Sequence, residues 1–165
     1  MPPISLRAGL TLAALSLSAA LFAAMASEWW GGLVPCALCL LGRWPYRVAI
    51  ALALLGLVLP RRLAAWCAGA VVLAMLASAA IGVVHVGVEA GWWPSPLPGC
   101  VARFTPGAGV ADLPARPAKP CDEPTYLIPG LPLSMAAMSL IFSLATAAAM
   151  AAVLLCHRPR PTRLP

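Results

Sequence analysis

Charge is scarce in this sequence. Only 10% of its 165 residues are Asp, Glu, Lys or Arg, and only 5 are acidic. A soluble domain needs a far more charged shell to face water, which excludes a water-soluble globular fold. Also missing is a basic stripe interleaved with stacking aromatics, so the net charge of +6 does not point to nucleic acid. No internal repeat or charged low-complexity tract divides the chain, and residues 1–165 read as a single membrane domain.

What is present is apolar. Hydrophobic residues make up 62% and mean hydropathy is +0.91, so lipid must be the main solvent. A spanning helix needs about 20 predominantly apolar residues. Ala8 to Ser27 is one such stretch, bounded by Arg7 and Glu28. Leu63 to Val88 is another, interrupted near its end by His85. Pro124 to His157 is a third, whose early prolines push the helix start to about residue 131. Val48 to Leu59 is too short alone, so its helix must reach back through Tyr46, Pro45, Trp44 and Arg43 towards Cys39. The expectation is an all-α integral membrane protein. Its four transmembrane helices cover about residues 8–27, 39–59, 63–88 and 131–156, with loops at about 28–38 and 89–130.

Orientation follows from the basic residues. The two ends and the Pro60-Arg61-Arg62 turn carry Arg7, Arg61, Arg62, Arg158, Arg160 and Arg163 without a single acid. The positive-inside rule then places both termini in the cytoplasm and the long loop outside. Arg7, the apolar run and Ala24-Met25-Ala26 have the outline of a cleaved signal peptide. The run exceeds the roughly 7–15 residues of such segments, so it is expected to stay as the first span.

The segment from Glu89 to Gly130 differs in composition. It holds nine prolines, Pro94, Pro96, Pro98, Pro106, Pro114, Pro117, Pro120, Pro124 and Pro129, which rule out a spanning helix. Long irregular loops in compact domains are commonly functional, and this one carries Cys100 and Cys121.

The six cysteines divide by position. Cys36 and Cys39 lie at the outer entrance of the second helix, Cys100 and Cys121 in the outer loop. Two pairs therefore face the side where disulfides form and persist. Cys67 and Cys156 sit near cytoplasmic helix ends and read as small hydrophobes without a role. Pro35-Cys36-Ala37-Leu38-Cys39 places a C-x-x-C at a helix N-terminus, where free N–H groups and the macrodipole favour a thiolate. Arg43 falls on the face of the two thiols. Arginine within a span is costly and functional by default, so Arg43 is expected to polarise a carbonyl oxygen on an electron acceptor rather than only to snorkel. Arg47, one turn deeper, is compatible with either role.

A metal-binding or metal-transporting protein using the four outer cysteines with His85 is the competing reading, and a loop merely braced by disulfides is another. The 20 residues between Cys100 and Cys121 lack the tight knuckle spacing of zinc sites, so no metal is expected and redox chemistry is preferred.

Three stretches together resemble the disulfide bond formation protein B family, DsbB. They are Pro-Cys-x-Leu-Cys-Leu-x-x-Arg-Trp-Pro-Tyr at 35–46, His85-Val86-Gly87-Val88-Glu89-Ala90-Gly91-Trp92-Trp93-Pro94 leading to Cys100, and Cys121-Asp122-Glu123-Pro124 followed by Gly130-Leu131. The resemblance covers essentially the whole chain. It implies a four-helix bundle in a bacterial inner membrane that re-oxidises a periplasmic thiol oxidase of the DsbA type and passes the electrons to ubiquinone or menaquinone. Carried over to this sequence, the resemblance implies that Cys100 forms the mixed disulfide with the partner, Cys121 exchanges with Cys36, and Cys39 is the thiolate against the quinone ring. Arg43 and His85 are implied quinone contacts. Two departures stand out: Gly42 replaces the glutamine usual before the arginine, and the spacing from His85 to Cys100 is longer than in the best-known branch.

Overall fold

The computed structural model describes residues 5–100, 119–127 and 130–156. Four helices carry it: α1 (Leu6–Trp29), α2 (Ala37–Val58), α3 (Arg61–Glu89) and α4 (Met135–Cys156), with one 3₁₀ turn at Pro98–Cys100. Each is long and apolar enough to cross a membrane. Among the described residues there is no strand, only an isolated bridge between Tyr126 and Ser134. The protein is an all-α, multi-pass membrane bundle. Of the loop expected at 89–130, residues 101–118 and 128–129 lie outside the described residues.

Local chemistry sets the helix ends. Ser5 caps α1 by accepting the Ala8 N–H at 3.2 Å. Pro60 precedes α3 in extended conformation. Pro45 lies inside α2 and withdraws the N–H that would bond the Leu41 carbonyl, a loss that packed transmembrane helices tolerate. α3 stops in a Schellman motif: the Trp92 N–H donates to the Gly87 carbonyl at 2.9 Å and the Gly91 N–H to that of Val88 at 3.1 Å. This geometry needs a left-handed residue, and Gly91 supplies φ +70°. Trp93 then folds back over Gly87, where any side chain would meet its ring, and donates to the Val84 carbonyl at 3.1 Å.

α3 is the central helix, packed along both α2 and α4. α1 leans chiefly on α2 and touches α3 and α4 only lightly, which leaves the α1–α4 seam loose. Leu10, Leu17, Ala49, Ala53, Val71 and Met75 form the middle of the core. Small residues let backbones approach, as where Gly82 meets Leu140. Leu12, Leu15, Phe22, Leu73 and Ile141 point outwards, as lipid-facing residues must. Trp29, Trp30, Trp92 and Trp93 are exposed where α1 and α3 finish, and Trp66 near the start of α3. These are the positions of interfacial aromatic belts.

Gly91→Ala should destabilise the bundle by about 1–2 kcal/mol, the cost of a left-handed conformation for a residue with a Cβ. Unfolding of the purified protein by increasing denaturing detergent would show it. Unchanged stability would mean that the Schellman turn does not hold the end of α3.

Candidate functional site

The first turn of α2 divides its two cysteines. Cys36 is the N-cap, extended at φ −80°, ψ 169°, and its sulfur accepts the Cys39 N–H at 3.3 Å. Cys39 lies inside the helix. The two are free thiols with sulfurs 3.0 Å apart, within hydrogen-bond distance of one another. Cys36 is buried in a small apolar cluster with Leu38, Val88, Cys100 and Cys121, and Cys39 packs against it. Cys100 and Cys121 are joined as a disulfide, with Cα atoms 4.9 Å apart. The Cys100–Cys121 disulfide and Cys36 therefore share one buried nest at the end of the bundle.

A strap leads from Cys121 into α4. The Lys119 ammonium donates to the Thr125 hydroxyl at 2.6 Å, and the Thr125 carbonyl accepts the Met135 N–H at 2.8 Å. Ser134 caps α4, its hydroxyl oxygen accepting the Ala137 N–H at 3.2 Å.

Cys39 faces a different space. A cavity of about 240 Å³ opens between α1, α2, α3 and α4, walled by Ala20, Ala24, Ile81 and Phe142 among others. Its polar positions are few: Cys39, Arg43, Tyr46, Ser78, His85 and Ser139. Tyr46 and Phe142 stack with rings 6.1 Å apart. The Tyr46 hydroxyl lies 3.2 Å from the Ser139 hydroxyl and 3.1 Å from that of Ser143, which donates to Ser78 Oγ at 2.9 Å. Apolar walls with a few convergent polar groups are the usual form of a small-molecule site. The Cys39 sulfur lies on one wall of it.

Arg43 and His85 both line this cavity and both have carboxylate partners. The Arg43 guanidinium pairs with Glu28 on α1, and donates to the Ala24 carbonyl at 3.5 Å. Both ion-paired side chains are largely buried, where a lone charge would be costly. His85 is buried with Nε2 3.5 Å from the Cys36 sulfur and 3.8 Å from Glu89 Oε1. The sulfurs of Cys36 and Cys39 and a ring nitrogen of His85 all lie within 4.8 Å of one another.

Four of the six candidate residues, Cys36, Cys39, Arg43 and His85, are thus gathered around α2 and α3, and Cys100 and Cys121 lie against Cys36. Arg47 is exposed and sits 5.4 Å from the Trp44 ring centre, outside the cavity. Cys67 is buried where α2 and α3 meet beside Gly56, and Cys156 is exposed at the end of α4. Neither approaches the site.

Glu28, Tyr46, Glu89 and Ser134 are functional candidates that sequence reasoning passed over. Glu89 follows His85 at the i,i+4 spacing that brings two helical side chains together. Glu28, an acid closing an apolar span, was a signal of the same kind. Tyr46 and Ser134 had no such mark.

The electrostatics single out Cys36. Its thiol is held well below the usual range, to about 4, first by the hydrogen bond with the Cys39 thiol and then by those from His85 and the Cys39 N–H, against burial, which pushes it up. Cys36 is the sulfur that the arrangement prepares as a thiolate.

Compared with known proteins, residues 6–153 match the family model described as disulfide bond formation protein DsbB. No curated protein and no solved structure matches the chain.

In fully reduced protein, Cys36 should be alkylated by iodoacetamide as fast at pH 6 as at pH 8, because it is already thiolate across that range. Cys39→Ala removes the largest cause and should move the midpoint up towards that of an ordinary thiol. Peptide mass mapping separates the sites. A Cys36 rate climbing about tenfold per pH unit from 6 to 8 would show an ordinary thiol.

Proposed function

Because this chain belongs to the family of disulfide bond formation protein DsbB, a family of thiol oxidoreductases, we propose that it re-oxidises a periplasmic DsbA-type thiol oxidase and delivers the electrons to a membrane quinone, ubiquinone or menaquinone. The observation that carries this reading is the division of the C-x-x-C: Cys36 lies in the nest with the Cys100–Cys121 disulfide, while Cys39 lines an apolar cavity with Arg43 and His85. One sulfur meets protein disulfide chemistry and the other meets a lipid-borne ring.

The electron route has three balanced steps. The partner's dithiol reduces the Cys100–Cys121 bond, beginning with a mixed disulfide at Cys100, and leaves as a disulfide. The freed Cys121 thiolate attacks Cys36 of an oxidised Cys36–Cys39 pair, and completion of the exchange restores Cys100–Cys121 and leaves both α2 cysteines as thiols. The quinone supplies the final sink, taking two electrons and two protons as the Cys36–Cys39 bond reforms.

The chain's own residues have separate tasks. Arg43, held by Glu28, presents positive charge to a carbonyl oxygen as negative charge builds on it. His85 stands between Cys36 and the cavity, placed to move a proton. Tyr46 and Ser139 offer hydroxyls to the other end of the ring. The loose α1–α4 seam leads from Phe142 into a second apolar groove lined by Leu12, Ala149 and Val153, which suits an isoprenoid tail. The basic termini and the Arg61-Arg62 turn support an inner-membrane location with the four active cysteines on the periplasmic side. With Cys100 and Cys121 joined as a disulfide, the metal-binding alternative would rest on Cys36, Cys39 and His85, whose ligand atoms lie within 4.8 Å of one another.

Purified protein supplied with a reduced DsbA-type partner and a short-tailed quinone should turn over, and Arg43→Ala should raise the quinone KM about tenfold or more, the worth of a charge-assisted hydrogen bond. Exchange with the partner should be nearly unchanged. Lysine should rescue only in part, lacking the planar fork that can hold Glu28 and a carbonyl together. No quinone reduction by folded wild-type protein would refute the function, and unchanged quinone kinetics in Arg43→Ala would remove that residue from the site.

A further inference from the structure

The reaction described so far uses Cys36 and His85 but leaves one neighbouring carboxylate without a task. Glu89 is the last residue of α3, one turn beyond His85, and its side chain is nearly buried. Oε1 lies 3.8 Å from His85 Nε2, and Oε2 accepts the Ser134 hydroxyl proton at 2.5 Å. Ser134 is itself fixed, because its oxygen caps α4. The Schellman turn at Gly91 holds the same end of α3. A carboxylate anchored from two helices thus faces the nitrogen that faces the Cys36 sulfur.

We propose that Glu89 is a positioning residue of a Cys36–His85–Glu89 triad, in which Ser134 fixes Glu89, His85 takes the proton of Cys36, and Glu89 balances the charge that His85 then carries.

The step is a proton transfer with no change in oxidation state. The S–H bond of Cys36 breaks, an N–H bond forms at His85 Nε2, and the products are a thiolate and an imidazolium 3.5 Å apart. The nitrogen accepts only in the tautomer with its other proton on Nδ1. Once protonated, Nε2 carries positive charge opposite Glu89 Oε1 at ion-pair distance. A thiol, a base beside it and a carboxylate that stabilises the protonated base follow the general logic of an activated thiol. Here the thiolate is the sulfur expelled as the exchange with Cys121 is completed and the one that recloses the Cys36–Cys39 bond in the last step. The proposal therefore rests on the redox reading above and adds to it how that sulfur is kept ionised.

The sign of one substitution separates this arrangement from a mere neighbouring charge. Acting directly on Cys36, a nearby carboxylate disfavours the thiolate, so neutralising it should lower the pH at which Cys36 ionises. Acting through His85 it favours the thiolate–imidazolium pair, so neutralising it should raise that pH. Other charged and titratable groups around the pair stay unchanged: Cys39 and Arg43 on α2, Glu28 on α1 bound to Arg43, and on the strap Lys119 held by Thr125 with exposed Asp122 and Glu123. From α4 the facing group is the uncharged Ser134.

The experiment measures iodoacetamide alkylation of Cys36 against pH in fully reduced, full-length protein in detergent, mapped by peptide mass. Glu89→Gln should raise the Cys36 midpoint by about one pH unit, seen as about tenfold slower labelling below the midpoint. In a His85→Gln background the same change should no longer raise it, as a double-mutant cycle requires of groups acting through one another. Glu89→Asp, which keeps the charge but shortens the reach, should fall between wild type and Glu89→Gln, and Ser134→Thr, which keeps the hydroxyl and the cap, should leave the midpoint near wild type. A midpoint that falls or stays put in folded Glu89→Gln overturns the triad, as does an equal rise without His85. No quinone or partner protein is present, so failure of quinone turnover would sink the proposed function without touching this result.

Discussion

The cysteine-bearing end of the bundle depends on one hydrogen bond, the Cys39 N–H donated to the sulfur of Cys36. It makes Cys36 the cap of α2 and leaves Cys39 within the first turn, so two residues three apart in sequence open onto different surroundings. Cys36, in extended conformation, reaches the buried nest of Cys100 and Cys121, while Cys39 turns with the helix towards the cavity. A C-x-x-C placed further along the helix would give both sulfurs the same outlook. Placed at the cap, it brings the disulfide nest and the apolar cavity together through two sulfurs 3.0 Å apart.

The second constraint is the cost of charge where water is scarce. The chain has few acids, and at this end two of them each meet a cationic or protonatable group across helices or one turn away: Glu28 with Arg43, and Glu89 with His85. Each pairing also fixes an element. Glu28 ties α1 to α2 beside the cavity, and Glu89 ties the end of α3 to the cap of α4 through Ser134. The polar groups that serve the site are therefore also the ones that close the bundle there, while its middle is held by Leu17, Val71 and Met75 and their neighbours.

Much of this was legible beforehand. Apolar runs ending at Arg7, Glu28 and the Arg61-Arg62 turn mark the helices, because lipid demands length and composition that nothing else in the chain has. Pro35 before Cys36 places the thiols at a helix start, and Arg43 at four residues from Cys39 belongs on the same face. The partnering of Cys100 with Cys121 came from family resemblance, not spacing. Illegible were the contacts that depend on how one helix is rotated against another: Glu28 on Arg43, Tyr46 on Ser139 and Ser143, Ser134 on Glu89. Periodicity within a single helix carries no information on them. The His85–Glu89 pair was the exception, since both lie on α3 one turn apart.

The central claim, that the two sulfurs face different chambers, is tested most directly by protection of lone thiols. In Cys36→Ala and Cys39→Ala proteins a quinone cannot close a disulfide within the pair, so it acts only as an occupant. Alkylation of the remaining thiol is then timed with and without a short-tailed ubiquinone. The account predicts that quinone slows labelling of Cys39 severalfold and leaves Cys36 unaffected. Protection of Cys36 with Cys39 left open would contradict it.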